Sequence, residues 1–496
     1  MLFSSYVFLF LFLPLTLMGF FLIGSRGRKE AAIAWLVCAS LFFYAWWKPA
    51  YLAIIVCSML FNFALGRLIQ KSPAGRMLML LGVAANLALL GWYKYAGFFA
   101  ANLNHAFGLG WNPPEILLPL AISFFTFQQI AYLVDCHHDR SGEYAFSHYC
   151  LFVTFFPQLI AGPIVHHREM MPQFEQGSAF RLDHANLATG FTIFTFGLFK
   201  KVILADGLAA YANPVFAGAE QGVALSALEA WGGALAYTFQ LYFDFSGYSD
   251  MAIGLARLFG IRLPQNFNSP YQADSIIDFW RRWHITLSRF LRDHIYIPLG
   301  GNRHGETRRY LNVFATMLLG GLWHGAGWTF VAWGALHGVY LMANHAWRHF
   351  AGRREGAESK APSRAAFRVM TFLAVTTGWV LFRAESFEGA VVVLKAMFGR
   401  GGLGFSEFSV NHLAEWDDAF GLIALAAGIA WLLPNTQQIM RHSRPILEEP
   451  EPAGELSPFR GLSHSLSLGW CVLTGALFAY ATIGISKGGD FLYFNF

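Results

Sequence analysis

His324 stands in a break of small residues, with Gly320, Gly321, Gly325 and Gly327 around it. Apolar runs flank the break at 311–323 and 328–341. Arg303, Arg308 and Arg309 precede this stretch, and Arg348, Arg353, Arg354, Lys360 and Arg364 follow it. Lys and Arg collect on the cytoplasmic side of a membrane, so the pattern predicts a hairpin that enters and returns, with the break at its far point. At 1.5 Å of rise per residue the first run reaches ~20 Å, against a hydrocarbon core about 30 Å thick. An ionisable side chain at that depth is costly and marks a functional hypothesis. A neutral imidazole can take a proton from an attacking group, because its reference pKa of about 6.5 lies near working pH. The glycines let a second backbone or a thin substrate approach the ring. The competing reading is a buried histidine satisfied by a neighbouring carbonyl.

A second histidine lies in the amphipathic stretch 275–293. Ile276, Phe279, Trp280, Trp283, Leu287, Phe290 and Leu291 share one arc of a helical wheel. Asp278, Arg281, Arg282, Ser288, Arg289 and Arg292 lie opposite. Such a helix is expected to lie in the membrane interface. Its arginines suit lipid phosphates or the phosphates of a cytoplasmic ligand. His284 sits at the margin of the apolar arc and is expected to face the protein interior.

The elements that must carry these residues are membrane spans. Of 496 residues, 55% are hydrophobic and 13% charged, and 50 are Phe; soluble domains carry about 25% charged residues. Long apolar runs predict an all-α polytopic membrane protein and not a β-barrel, whose segments alternate. The net charge of +5 is concentrated in short loops, and no basic-aromatic interleaving marks a nucleic-acid surface. Five Cys without a CxxC indicate neither disulfides nor a zinc site. His137 and His138, flanked by Asp135 and Asp139, read as a solvated loop, so no metal is expected. The apolar run 1–23, with Arg26, Arg28 and Lys29 after it, predicts a first span with its N-terminus outside.

Further spans are expected at 31–47, 51–65, 77–93, 116–134, 187–204, 225–245, 367–382, 420–433 and 466–485, for about ten to twelve spans or re-entrant helices. A polar stretch over 97–115 reads as an outer loop or re-entrant piece. Lys200 and Lys201 mark an inner span end. Asp244 and Asp250 lie in apolar surroundings and are expected to pair with arginines of the next element. Pro157 and Pro163 break the segment 155–172, read as a re-entrant element or a kink at a membrane exit. Glu448 begins a Pro/Glu linker to 455. The whole chain, 1–496, reads as a single membrane domain.

Long ordered motifs carry a family resemblance: LPLAISFFTFQQIAYLVD (118–135), FPQLIAGPIVHHREMMPQF (156–174), YFDFSGYSDMAIGLARLFGIRLPQNFNSPY (242–271), FWRRWHITLSRFLRDHIYIPLGGNR (279–303) and LLGGLWHGAGWTFVAWGALHG (318–338). The amino-terminal FSSYVFLFLFLPL and the terminal DFLYFNF agree too. The chain resembles the membrane-bound O-acyltransferase family over essentially its whole length, and within it the branch that O-acetylates bacterial polysaccharides. The resemblance implies a ring of transmembrane helices around a thinned centre, with re-entrant and amphipathic helices. It places the family's invariant histidine at His324 and its second histidine at His284.

It also implies acetyl-CoA as donor substrate, with no tightly bound cofactor. Arg281 and Arg282 are candidates for its phosphates, as are Arg289, Arg303 and Arg308. The implied activity is acetyl transfer across the bacterial inner membrane to an exported polysaccharide, alginate first, completed by periplasmic acetyltransferase partners. His324 is then the general base, and His284 positions or polarises the carbonyl or shares the proton. No GxSxG elbow is present, so direct transfer is expected over a serine acyl-enzyme. Acyl transfer to cellulose or peptidoglycan, D-alanylation of teichoic acid, and a non-enzymatic transporter with broken helices are the other readings.

Overall fold

The computed structural model describes residues 1–111, 116–139, 145–350, 361–404, 416–448, 459, 462–464, 467–485 and 492. Arg140, Arg353, Arg354, Lys360, Glu415, linker residues 449–455 and most of 490–496 lie outside the described residues. Every regular element among the described residues is a helix.

The first helices fall where the apolar runs place them, at Phe8–Gly24, Lys29–Ala45, Tyr51–Lys71 and Gly75–Phe107, the last two of span length. Their outer faces are greasy, with Phe10, Leu11, Leu15, Met18, Leu80, Leu81 and Leu87 exposed. Polar groups turn inward instead: Asn62 and Asn86 exchange side-chain amide bonds of 3.2 and 2.7 Å in the buried seam. Apolar outside with paired polar groups inside is the arrangement lipid demands. Among the described residues, four helices are long and apolar enough to cross a membrane by length and composition: Tyr51–Lys71, Gly75–Phe107, His184–Glu220 and Arg364–Arg383.

The stretch after residue 97 is not a loop at its start. The helix passes through a π turn, Gly91–Tyr95, and continues as Ala96–Phe107. The expected 187–204 span is likewise the front of a 37-residue helix, His184–Glu220. Lys200 and Lys201 therefore do not end a span; they open a π turn, Lys200–Ala205, inside it.

At the centre stands Ala227–Leu258, 32 residues long and buried along nearly its whole length. Its start is fixed by a capping box in which Ser226 and Glu229 satisfy each other's backbone N–H groups. It packs on His184–Phe199 at glycines. A Cβ on Gly197 would lie 2.5 Å from the Gly247 carbonyl, and one on Gly190 2.7 Å from that of Gly254. Only side-chain-free positions permit this backbone approach.

The same contact holds the buried charges, and here the sequence expectation is corrected. Asp244 and Asp250 pair with lysines of the preceding helix, not with arginines of the next. Lys201 lies 2.8 Å from Asp244 and 2.5 Å from Asp206, and Lys200 lies 2.6 Å from Asp250. Thr436 and Gln437 each donate to Asp250 at 2.6 Å. The π turn aims two consecutive lysines at the central helix, so the charges are compensated where they are buried.

The segment around Pro157 and Pro163 stays inside the protein. Residues 155–167 are all buried, with helical backbone only at Phe156–Leu159 before His167.

Candidate active site

The hairpin forms as the two apolar runs predict, from Gly305–His324 and Trp328–Phe350. Its arms touch backbone to backbone at Gly321 and Gly334. A Cβ on Gly321 would lie 2.4 Å from the Phe330 carbonyl, and one on Gly334 2.5 Å from that of Met317. His324 ends the first arm and is 4% exposed. Its ring packs edge-on against Trp333 and Phe382, with centroids 5.2 Å away in each case, and against Trp323 at 4.9 Å. The carbonyls of this last turn are held from outside the hairpin. Tyr95 donates its hydroxyl to Leu322 O at 2.7 Å, and Lys94 donates to Trp323 O at 2.5 Å and His324 O at 3.1 Å.

The expected helix over 275–293 is in fact two, Ile276–Arg282 and Ile285–Leu291. They part at His284, whose backbone is left-handed at φ 44° and ψ 53°. A loop 18 residues upstream imposes the break: Ile285 N–H donates to Asn266 O at 2.9 Å, and Asn268 N–H to Arg282 O at 2.9 Å. His284 is fully buried, as its place on the wheel implies. Its Nδ1 lies 3.1 Å from Asn266 Oδ1, which also accepts from the Thr286 hydroxyl at 3.0 Å. An amide oxygen only accepts, so Nδ1 carries the proton and Nε2 keeps its lone pair. Thr286 Oγ1 in turn accepts from Ile164 N–H at 3.0 Å, which ties the Pro-broken segment to this site. Both histidines adjoin Trp323, with His284 at 6.3 Å and His324 at 4.9 Å between centroids.

Two cavities lie at opposite ends of the hairpin. One, of about 660 Å³, sits between the arginine-rich helices and the basic end of the hairpin; Arg281, Arg292, Arg309 and Arg348 line it, with Trp280 and Thr316. The other, of about 1600 Å³, opens at the hairpin tip beside Ala326, Gly327, Phe330 and Phe382, with Asp206, Arg383 and Glu385 at its wall. A relay of aromatic rings joins them through the histidine. Trp280 meets Trp333 at 5.9 Å, Trp333 meets His324 at 5.2 Å, and His324 meets Phe382 at 5.2 Å. His324 and His284 do not line either of these two cavities themselves; the Trp333 and Phe382 rings stand between them and His324.

Of the arginines singled out in the sequence, Arg281 lines the basic cavity. Arg282 does not; it pairs with Asp278 at 2.8 Å and donates to Asn268 O at 3.3 Å. Arg289 forks onto both oxygens of Glu169 at 2.8 and 3.0 Å. Arg303 and Arg308 lie outside the cavity lining, while Arg292, Arg309 and Arg348 supply charge there instead.

Two residues of the site escaped sequence reasoning. His337 is fully buried, its Nδ1 accepts from Trp280 Nε1 at 3.3 Å, and its ring lies 4.8 Å from Trp333. Its spacing from Trp333 and Leu341 on the buried face of the second arm was the available signal. Lys94 gave none, since it follows an apolar run as any span-ending lysine does.

Among the described residues the fold is helical and lipid-facing, and it buries two histidines beside Trp323, with His324 between a basic cavity and a second cavity: a membrane-embedded scaffold. The chain belongs to the membrane-bound O-acyltransferase family and is an acyltransferase. The family profile matches residues 138–381. The peptidoglycan O-acetyltransferase of Helicobacter pylori is 45% identical over 84% of this chain and 82% of its own length. The probable alginate O-acetylase AlgI of Pseudomonas putida is 44% identical over 86% of both chains. The teichoic acid D-alanyltransferase of Streptococcus thermophilus is 30% identical over 46% of this chain and 57% of its own.

Proposed function

We propose that this protein takes an acetyl group from cytoplasmic acetyl-CoA and passes it across the bacterial inner membrane for O-acetylation of an exported polysaccharide. The observation that carries the reading is His324 between a basic cavity on one side and a second cavity on the other. With RGRK at 26–29 and Arg67, Lys71 and Arg76 inside, the N-terminus is periplasmic and the basic cavity faces the cytoplasm. Arg281, with Arg292, Arg309 and Arg348, would meet the CoA phosphates there, and the pantetheine arm would run past Trp280 toward His324.

At the imidazole, His324 takes the proton of the acceptor hydroxyl as its oxygen attacks the thioester carbon. The tetrahedral intermediate collapses, the C–S bond breaks, and the thiolate leaves with a proton as CoA thiol. The products are an acetyl ester and CoA, so no other reactant is needed. His284, its Nδ1–H held by Asn266, presents the Nε2 lone pair, so it can share the proton taken from the acceptor and polarises the carbonyl only once Nε2 is protonated.

Alginate and peptidoglycan are the two favoured end acceptors, because relatives bearing those names are 44% and 45% identical over most of the chain. A periplasmic acetyltransferase of the export machinery would receive the acetyl group at the outer cavity.

The test is thioester turnover by the purified protein in detergent, with a polysaccharide hydroxyl supplied as acceptor and water as the background acceptor. The wild type is expected to release CoA from acetyl-CoA, and His324→Ala and His324→Gln, folded and at normal level, are expected to lose it. A protein that moves acetyl groups without breaking the thioester would release none. Normal turnover in both variants would remove His324 from the chemistry.

A further inference from the structure

We infer that Lys94 and Tyr95 are positioning residues for His324: they hold the carbonyls of the turn that carries the imidazole and so fix where the ring sits. The inference rests on His324 acting as the base.

The last four carbonyls of a helix have no partner within it. In an apolar interior each must find a donor elsewhere. The first arm of the hairpin ends at His324 and leaves through Gly325 in extended backbone, φ −160° and ψ 150°. Gly325 brings no side-chain donor to this turn. The donors come from a helix 229 residues away in sequence, where Lys94 Nζ reaches Trp323 O at 2.5 Å and His324 O at 3.1 Å. Tyr95 closes the third carbonyl, Leu322 O, at 2.7 Å. Three consecutive carbonyls are thus capped by two consecutive side chains.

The π turn Gly91–Tyr95 makes this possible. A one-residue bulge of this kind inserted in an α-helix commonly marks a functional site. Here it brings Lys94 and Tyr95 onto the same turn of the hairpin. The ammonium is also placed where a helix end favours positive charge. It lies 5.8 Å from the centre of the Trp323 ring, against which both histidines pack. Among the described residues no carboxylate comes within ion-pair distance of Lys94. A lysine in such a place is costly unless it serves the site, and its contacts here are the backbone of the proposed base.

The experiment compares Lys94→Met, Lys94→Arg and Tyr95→Phe in detergent-purified protein, normalised to folded material. Lys94→Met is expected to lower kcat for CoA release about 10–100-fold, the cost of displacing a reacting group by roughly 1 Å. KM for acetyl-CoA should stay within about twofold, because the basic cavity is untouched. Lys94→Arg, which keeps a charged donor, should recover most of that loss, and Tyr95→Phe should fall between. A second readout does not depend on turnover: hydrogen–deuterium exchange over residues 320–327 should quicken in Lys94→Met and return with Lys94→Arg. If wild type releases CoA and Lys94→Met does so equally fast, the inference is overturned. A rise in KM at constant kcat overturns it too, since Lys94 would then serve donor binding. If wild type releases no CoA, the functional reading has failed, and exchange alone decides: unchanged protection of 320–327 in Lys94→Met refutes the positioning role.

Discussion

Replacing Gly321 with Ala should move the proposed base without touching it. The added Cβ would lie 2.4 Å from the Phe330 carbonyl oxygen and 2.9 Å from Gly334 Cα. Ordinary contact begins at about 3.4 Å, so the two arms must part by roughly 1 Å. Both obstacles are backbone of the opposite arm, and neither can swing away as a side-chain end would. Overpacking of this kind costs about 1–3 kcal/mol of stability. Catalysis should suffer more, because His324 sits three residues further along the same helix and a displacement of ~1 Å can cost about 100-fold. Gly320→Ala is the control. Its Cβ would meet only Leu291 Cδ1, at 3.2 Å, a flexible side-chain end that can give. The assay is CoA release per folded protein, with thermal unfolding in the same detergent. Gly321→Ala should be strongly impaired and Gly320→Ala close to wild type. Equal, near-normal activity in both would refute the claim that the Gly321–Gly334 contact sets the position of His324.

Two further predictions concern the charges that hold the fold. Lys201→Met leaves Asp244 buried without its cation and should cost about 3–5 kcal/mol, read as a fall in melting temperature; adding Asp244→Asn should recover much of it, and no fall would mean the pair is not structurally coupled. His167 opens the short helix His167–Glu175, outside the candidate spans, and burial pushes its pKa from 6.5 down to about 4, against the pull of Asp135. The unfolded chain binds the proton first, so stability is full above pH 6.5, falls by about 3 kcal/mol as pH drops to about 4, and levels off below. His167→Asn should flatten that part of the pH–melting curve.

Much of the architecture was legible because hydrophobic runs and basic loops are local signals. The hairpin, the first four helices and the inward turn of His284 follow from residues within a few turns of one another. The helix break at His284 does not, because hydrogen bonds to the Asn266 carbonyl and from the Asn268 N–H impose it and the wheel of 275–293 contains nothing to announce it. The partners of Asp244 and Asp250 were misread for a related reason. Lys200 and Lys201 look like a span end in sequence, and only the π turn inside a continuous helix shows that they point inward.

Sequence alone determined that this chain lives in lipid, that it folds as helices and that His324 lies deep within a hairpin, since each follows from composition and short-range pattern. Tertiary structure decided which arginines face a cavity, which lysines neutralise which aspartates, and that Lys94 holds the turn of His324. Those are matters of distance between residues far apart in the chain, and in an apolar interior every charge and carbonyl must find its partner wherever the fold brings one near.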